Sequence, residues 1–160
     1  MATPNLLSAG RKALIDRLST ISYANGYRTA AGANTRSGWF NEVLKENNVG
    51  FPLIVVQKAK GMAPVAGPHA LKVMQGFNVI GAVKAGLDDY EDAVEDLEHD
   101  LLLCLMPTMG VLPDWLPRGI TNITIGAPEA FPPGEGVSAA TVLIPVHLHT
   151  IIQVQPNAQR

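Results

Sequence analysis

Residues 87–105 read Leu-Asp-Asp-Tyr-Glu-Asp-Ala-Val-Glu-Asp-Leu-Glu-His-Asp-Leu-Leu-Leu-Cys-Leu, and this stretch decides the fold that we predict. Apolar side chains recur every three or four residues, from Leu87 through Val94 to Leu101. That spacing predicts an amphipathic helix over the whole stretch, with its apolar side against a core. The opposite side of the helix is acidic and carries Asp88, Asp89, Glu91, Asp92, Glu95, Asp96, Glu98 and Asp100.

Shorter patterns extend the prediction on both sides of this helix. Helical spacing predicts a first helix over 6–21 and a short one over 39–46, capped by Ser37. Alternating or β-branched runs predict strands over 27–31, 51–57, 71–84, 119–125 and 137–154. Pro145 has no N–H to donate, which predicts a bulge or a sheet edge in the last strand.

Two stretches rich in proline and glycine, 58–68 and 126–136, are predicted to be long exposed loops. Residues 155–160 are expected to fray as a flexible tail. Together the elements predict a single α+β domain over residues 1–160. In it, a mostly antiparallel or mixed sheet packs two main helices on one face.

The composition limits the class of protein. The chain has 160 residues, of which 47% are hydrophobic, so it can bury a core. No run approaches the roughly 20 apolar residues that a membrane-spanning helix needs, and no signal peptide is expected at residues 1–5. The single cysteine, Cys104, excludes an internal disulfide and a cysteine-based zinc cluster.

The formal net charge is only −2, but charge of each sign is concentrated in a different part of the chain. Residues 1–84 hold ten basic and three acidic residues, whereas residues 85–100 hold eight acidic residues and no basic one. The near-neutral total argues against a generally basic nucleic-acid-binding protein. A block of like charge often marks an interacting or a solvated surface.

His147 and His149 supply the first candidate chemistry. They are two residues apart on a predicted strand, so both point to the same face and could ligate a metal. A third ligand is needed, and none is identifiable from the sequence. Two surface histidines on an edge strand are the simpler interpretation.

The remaining candidate motifs are weaker. Asp96 and Glu95 lie one helical turn from His99, but carboxylate-bridged metal sites need several helices. His99 and Cys104 point away from each other, and the apolar surroundings of Cys104 predict a buried, inert thiol. The stretch 134–139 resembles a dinucleotide fingerprint, but it lacks the strand before and the helix after. We therefore predict no catalytic residue, no cofactor and no metal ligand.

A function of the surface remains. Lys58 and Lys60, in a predicted loop, and nearby Lys72 can meet the acidic side of the helix in a neighbouring copy. A head-to-tail contact between different patches forms a ring if its rotation closes. The simpler alternative is that both patches are solvated. The candidates for a subunit interface or a lumen are Lys58, Lys60, Lys72, Asp88, Asp89, Asp92, Glu95 and Asp96.

The order of elements and several short signatures resemble the tail terminator proteins of long-tailed (siphovirus-like) bacteriophages. The first helix ends in Gly26-Tyr27-Arg28-Thr29, and an apolar strand is entered through Pro52. A long loop then leads to a second strand, to an acidic helix that ends with residues 96–105, and to a final β-branched strand. The resemblance spans nearly the whole chain.

The resemblance implies a structural virion protein without enzymatic activity. Such proteins form a homo-oligomeric ring, a hexamer in this family, which caps the tail tube and stops its polymerisation. The ring contacts the tail tube protein and the head-completion or connector proteins. Double-stranded DNA passes through its lumen without sequence-specific binding. The implied location is the head-proximal end of the phage tail, after assembly in the host cytoplasm and with no membrane partner.

In a ring, the acidic helix has three possible environments: a neighbouring subunit, solvent or the lumen. An electronegative lumen would repel phosphate and leave DNA free to pass. Two alternatives to a tail terminator stay open. One is another ring protein of the head–tail connector, such as a neck or tail-completion protein. The other is a small metal-dependent hydrolase that uses His147, His149 and an acidic residue.

Overall fold

The computed structural model describes residues 4–46, 48–107, 113–134 and 139–154. The helices are α1 (Leu6–Leu18), α2 (Phe40–Val43) and α3 (Tyr90–Leu105), with 3₁₀ turns at Tyr23–Asn25 and Ala31–Asn34. The strands are β1 (Thr35–Ser37), β2 (Leu53–Gly67), β3 (Ala70–Val83), β4 (Ile120–Ile125), β5 (Glu129–Phe131) and β6 (Ala140–Gln153).

One mixed sheet of six strands organises the domain. The strands lie in the order β1-β2-β3-β6-β4, and β5 also pairs with β6. β1 and β2 run parallel, whereas the other pairs run antiparallel. The prediction of an α+β domain with a mostly antiparallel sheet is therefore confirmed.

α1 and α3 cover one face of the sheet, as predicted. Their apolar residues pack against every second residue of β6, from Ala140 to Leu148, to form the main core. Gly81 on β3 permits the close approach of α3, because a Cβ there would lie 2.7 Å from Leu97 Cδ2. The strict alternation of β6 leaves its odd-numbered residues on the opposite face of the sheet.

On that opposite face, α2 covers one end of the sheet. Val43 of α2 packs there with Leu53, Val55 and Ala82 in a second, smaller core. Further along the same face, His147 and His149 are half-buried. Within the described residues, α2 thus covers one end of this face, and the end that carries the two histidines stays partly exposed to solvent.

The stretch 58–68 is the largest departure from the prediction. It is not a loop, because β2 continues through it to Gly67 and stays paired with β3. Two register shifts, on either side of Met62, absorb the irregular residues. Pro64 lies on the outer strand of the hairpin, where a missing N–H is tolerated. Cross-strand pairing therefore overrides the local turn signals.

Two short strands also differ from the prediction. Residues 27–31 form no strand, and β1 lies further along the chain. The predicted loop at 126–136 contains β5, which pairs with the start of β6. Both β1 and β5 have three residues, which is too short for an alternating pattern to identify them.

The helix limits differ by up to about one turn. α1 ends at Leu18 rather than at residue 21, and α3 begins at Tyr90 rather than at residue 87. The short helix α2 has Trp39, not Ser37, at its N-cap, with no side-chain cap. The predicted tail at 155–160 lies outside the described residues.

Pro145 lies on β6 between the stretch that pairs with β4 and the stretch that pairs with β5. It pairs with Asn78 of β3 in register, so the predicted bulge is absent from this pair. On the other side of β6, β4 pairs as far as Val146 and β5 begins at Leu143. The Gly126 N–H donates to the Pro145 carbonyl at 2.7 Å and β6 is an internal strand, so the predicted sheet edge is not found either. The missing N–H is tolerated because it faces the gap between β4 and β5.

Candidate assembly surfaces

The first candidate surface is the distal half of the β2–β3 hairpin, residues 58–72, which we call the arm. β2 and β3 stay paired from Leu53↔Ala82 to Gly67↔Ala70, and β3 stays paired with β6 over the same length, so the arm is the outer edge of the sheet. Most of its residues are exposed. β6 supports its inner strand by pairing with Ala70 and Lys72 among others. The arm is therefore held by the sheet along its inner strand.

All the cationic candidates of the arm lie on paired strands rather than on a loop. Lys58 and Lys60 are exposed on β2, whereas Lys72 on β3 is half-buried. Pairing with β3 gives Lys58 a fixed position opposite Phe77. These lysines are therefore presented from a fixed backbone.

Apolar side chains lie exposed among these lysines. Met62 is 58% exposed and Val65 is 57% exposed, both on the outer strand of the arm. The sequence prediction missed them because the stretch was assigned to a loop. The available signal was the presence of Met62 and Val65, two large apolar residues, shortly after Lys58 and Lys60.

The outer edge of the arm carries features that disfavour strand addition. β1 pairs with β2 only at Ile54, Val55 and Val56, so within the described residues the edge of the arm has no strand partner. Two register shifts and Pro64 interrupt it. Bulges, prolines and edge lysines are the means by which proteins keep a free edge from pairing with another chain.

The second candidate surface lies at the start of α3, and we call it the acidic surface. Every member is exposed, and the acids of the first helical turn are favoured by the helix dipole. Leu87, predicted to be buried, is instead 69% exposed beside these acids. The acidic surface consists of Asp88, Asp89, Glu91, Asp92, Glu95 and Asp96.

Two members of the acidic surface have partners within the chain. Asp96 lies 4.0 Å from the guanidinium of Arg28, and Asp89 accepts a hydrogen bond from the Gly86 N–H at 3.0 Å. The other ion pairs among the described residues join Arg36 to Glu46 and Lys45 to Glu42. Most of this negative charge therefore has no cation beside it in the described part of the chain.

Asp100 was predicted on the exposed acidic side, and this is wrong. It is fully buried, and its carboxylate accepts hydrogen bonds from the backbone N–H groups of Arg28 and Thr29. The Thr29 hydroxyl donates a further one at 2.7 Å. Asp100 therefore fastens the chain before β1 to α3 and takes no part in an external surface.

The arm and the acidic surface are not brought together within one chain. Lys58, Lys60 and Lys72 form no ion pair with α3 among the described residues. The two surfaces belong to different elements, the β2–β3 hairpin and the start of α3. Each is therefore available to a second molecule.

The histidine pair does not assemble a metal centre in the described residues. His147 and His149 share one face of β6, but β6 is an internal strand between β3 and β4, not an edge. Thr124 Oγ1 lies 2.6 Å from His149 Nε2. No group of three His, Cys, Asp or Glu residues of metal-binding geometry occurs among the described residues.

The environment of His149 disfavours its protonated form. Desolvation by burial is the largest cause that lowers its pKa, and the positive charges of Lys72 and His147 lower it further. A carboxylate partner, which would do the opposite, is not among these influences. Among the residues that the structure describes, the pair therefore has no acid placed to complete the metal site that the hydrolase alternative requires.

Cys104 is buried, and its environment is that of an unreactive thiol. Its Sγ donates to the carbonyl oxygen of Arg17 at 3.2 Å, and burial is the main cause that raises its pKa. His99 is exposed on another side of α3. The thiol therefore has neither the low pKa nor the access that a nucleophile needs.

No protein-family model matches this chain, and no curated protein is significantly similar to it in sequence. Within the described residues, no helix combines the length and the apolar character needed to cross a membrane. The two charged surfaces are therefore the features from which function is inferred.

Proposed function

We propose that this protein is a structural, non-enzymatic component that assembles with copies of itself into a ring. The observation that carries the proposal is the separation of charge: a cationic arm and an acidic helix surface lie on different elements of one chain. Two unlike patches on one molecule give a head-to-tail contact, and such contacts form rings when the rotation closes.

The sign of the charges favours a copy of the same chain as the partner. Each molecule carries both halves of one complementary pair, so every copy can donate its arm and accept another. Complementary charge accelerates encounter and fixes the register of a contact more than it adds affinity. A ring needs both properties, because each subunit must add in one orientation.

The proposed place of this ring is the head-proximal end of a phage tail, as a tail terminator. Of the elements that carry the resemblance, the N-terminal helix, the two apolar strands, the acidic helix and the final long strand occur in that order in the fold, whereas the strand after Gly26 and the long loop are absent from the described residues. The ring would cap the tail tube, end its polymerisation and provide the surface for head joining. The number of six subunits comes from the resemblance.

The test combines light scattering with negative-stain imaging of the purified protein, alone and mixed with tail tubes. We expect either a solution mass near six times 17.0 kDa or a ring that appears at the end of the tube. A protein that stays monomeric and also leaves tube ends bare would contradict the proposal. Binding to filled heads but not to tubes would instead indicate a neck ring.

A further inference from the structure

We infer that the arm of one subunit docks on the acidic surface of the next copy, with Met62 and Val65 packed near Leu87. This inference rests on the proposed self-assembly and names the two surfaces that carry it. The occupant of each surface is therefore a second copy of this chain.

The charges are the first reason for choosing a second copy. The chain has no acidic residue between Glu46 and Asp88, so the whole hairpin is free of negative side chains. Conversely, residues 85–100 contain no basic residue. The two stretches thus carry opposite signs, and the exposed Arg28 beside Asp96 is the one cation paired with the acidic surface among the described residues. Two copies would meet like charges in any symmetric arm-to-arm contact, which favours the head-to-tail arrangement.

The apolar residues are the second reason. Met62 and Val65 are exposed between the lysines of the arm, and Leu87 is exposed beside the acids. Interfaces commonly place apolar contacts at the centre and charged groups at the rim. In the paired register, Met62 and Val65 share the sheet face of Lys72, whereas Lys58 lies on the face of the buried Phe77. A copy docked along the outer edge of the arm would bury the two apolar side chains on one face and pair with Lys58 on the other.

The geometry of the arm agrees with a contact made by side chains. At about 3.3 Å per residue, the ten residues from Lys58 to Gly67 span roughly 30 Å. That length lies along the outer edge of the sheet, because β6 pairs with β3 over the same stretch, and it offers a long contact line to a neighbouring subunit. The register shifts and Pro64 interrupt the backbone edge, so docking through side chains is favoured over the addition of a strand.

Nucleic acid is the competing occupant of the lysines, and the arm suits it less well. Proteins that hold single strands use aromatic side chains on which bases stack, and residues 58–72 contain no Phe, Tyr or Trp. Binding to duplex DNA draws its affinity from many phosphate contacts, whereas the arm offers three lysines. Exposed Met62 and Val65 would also remain uncovered on DNA.

The test reverses charge on each surface separately. The arm variant is Lys58→Glu with Lys60→Glu, and the helix variant is Asp92→Lys with Glu95→Lys. The helix variant leaves Asp89 in place because it holds the Gly86 N–H. Each variant alone should assemble at least about tenfold more weakly than the wild type in sedimentation velocity. The wild-type assembly should also weaken as salt is raised.

Mixing the two variants gives the decisive measurement. The reversed arm of one variant matches the reversed helix of the other, and the two unreversed surfaces also match. An equimolar mixture should therefore recover assembly, as should a single chain that carries all four substitutions. Lys12→Glu with Lys45→Glu makes the same change in net charge outside the arm and should assemble like the wild type.

The possible outcomes distinguish failure of the docking contact from failure of self-assembly. If the wild type forms no ring in solution or on tubes, both fail. If the wild type forms rings and the folded variants do so equally well, only the inference fails. Absence of recovery in both the mixture and the fourfold variant would also overturn it. So would tight binding of a duplex oligonucleotide that the arm variant loses while its assembly is unchanged.

Discussion

The carboxylate of Asp100 accepts hydrogen bonds from both the backbone N–H and the hydroxyl of Thr29, at 2.8 and 2.7 Å. The two residues are 71 positions apart in the chain, and both are buried. The Arg28 N–H donates to the other carboxylate oxygen at 3.0 Å. These bonds take the place of a strand at 27–31, because they satisfy backbone groups that a sheet would otherwise pair.

Replacing this carboxylate should destabilise the fold. Asp100→Ala leaves the part-buried N–H of Arg28 and the buried N–H of Thr29 without an acceptor, which should lower the free energy of unfolding by about 2–4 kcal/mol. Asp96→Ala is the matched control, since Asp96 is exposed and should cost at most about 1 kcal/mol. Urea unfolding measures both, and equal losses would contradict the role given to Asp100.

The sequence predicted the helical layer and the main strands because burial leaves a periodic signal. α3 and β6 show regular apolar patterns among residues close in the sequence, and the bounds of both were predicted to within three residues. The burial of Asp100 could not be predicted from such a pattern. Asp100 lies three residues after Leu97 and directly before Leu101, beside the apolar side, yet its partner Thr29 is visible only once the chain has folded.

The candidate surfaces were predicted in part, and for related reasons. The signs and positions of Lys58 and of the acids on α3 are visible in the sequence, since charge does not depend on folding. The paired backbone under the arm is not visible, because glycine and Pro64 signal a turn locally. Met62 was consequently assigned to a loop rather than a strand, although its exposure was predicted correctly. Leu87 was assigned to the apolar side of the helix, but it precedes the first residue of α3 and is exposed.

His149 should titrate below its ordinary pKa of 6.5, first because burial desolvates it and then because Lys72 and His147 repel its proton. Its contribution to stability is therefore fully present above pH 6.5 and is lost as the pH falls through the lowered value. NMR titration of the ring protons measures this pKa. Lys72→Gln should raise it, whereas Lys12→Gln should leave it unchanged. No response to Lys72→Gln would mean that this lysine does not face the ring.

In the folded protein, the rate at which Cys104 reacts with thiol reagents should be lower by about 100-fold or more than the rate in the chain unfolded in urea. Burial is the main cause that raises the folded pKa above the ordinary 9.0. The unfolded thiol therefore ionises first, so this contribution to stability is present below pH 9 and is lost as the pH rises further.

Alkylation kinetics and urea unfolding at several alkaline pH values measure the two effects of Cys104. Cys104→Ala should show a shallower loss of stability over the same pH range. Burial also raises the pKa of Tyr27, so part of the alkaline loss should remain in this variant. Rapid labelling of the folded protein would show that the thiol is accessible.

The shape of the arm should depend on a close approach between Gly76 of β3 and the backbone of β2. A Cβ at Gly76 would overlap the carbonyl oxygen of Lys60, a backbone atom that cannot rotate away. Gly76→Ala should therefore separate the strands at the first register shift and lower the free energy of unfolding by about 1–3 kcal/mol. It should also speed amide exchange in the arm.

Gly67→Ala is the matched control near the tip of the same hairpin. A Cβ there would lie 3.9 Å from the carbonyl oxygen of Ala70, an ordinary contact. We expect its effect on unfolding to stay within about 0.5 kcal/mol. If the arm presents Lys58 and Lys60 to a neighbouring subunit, Gly76→Ala should weaken assembly as well, and Gly67→Ala should not. Equal stability and exchange in the two variants would show that the close approach at Gly76 does not hold the arm in shape.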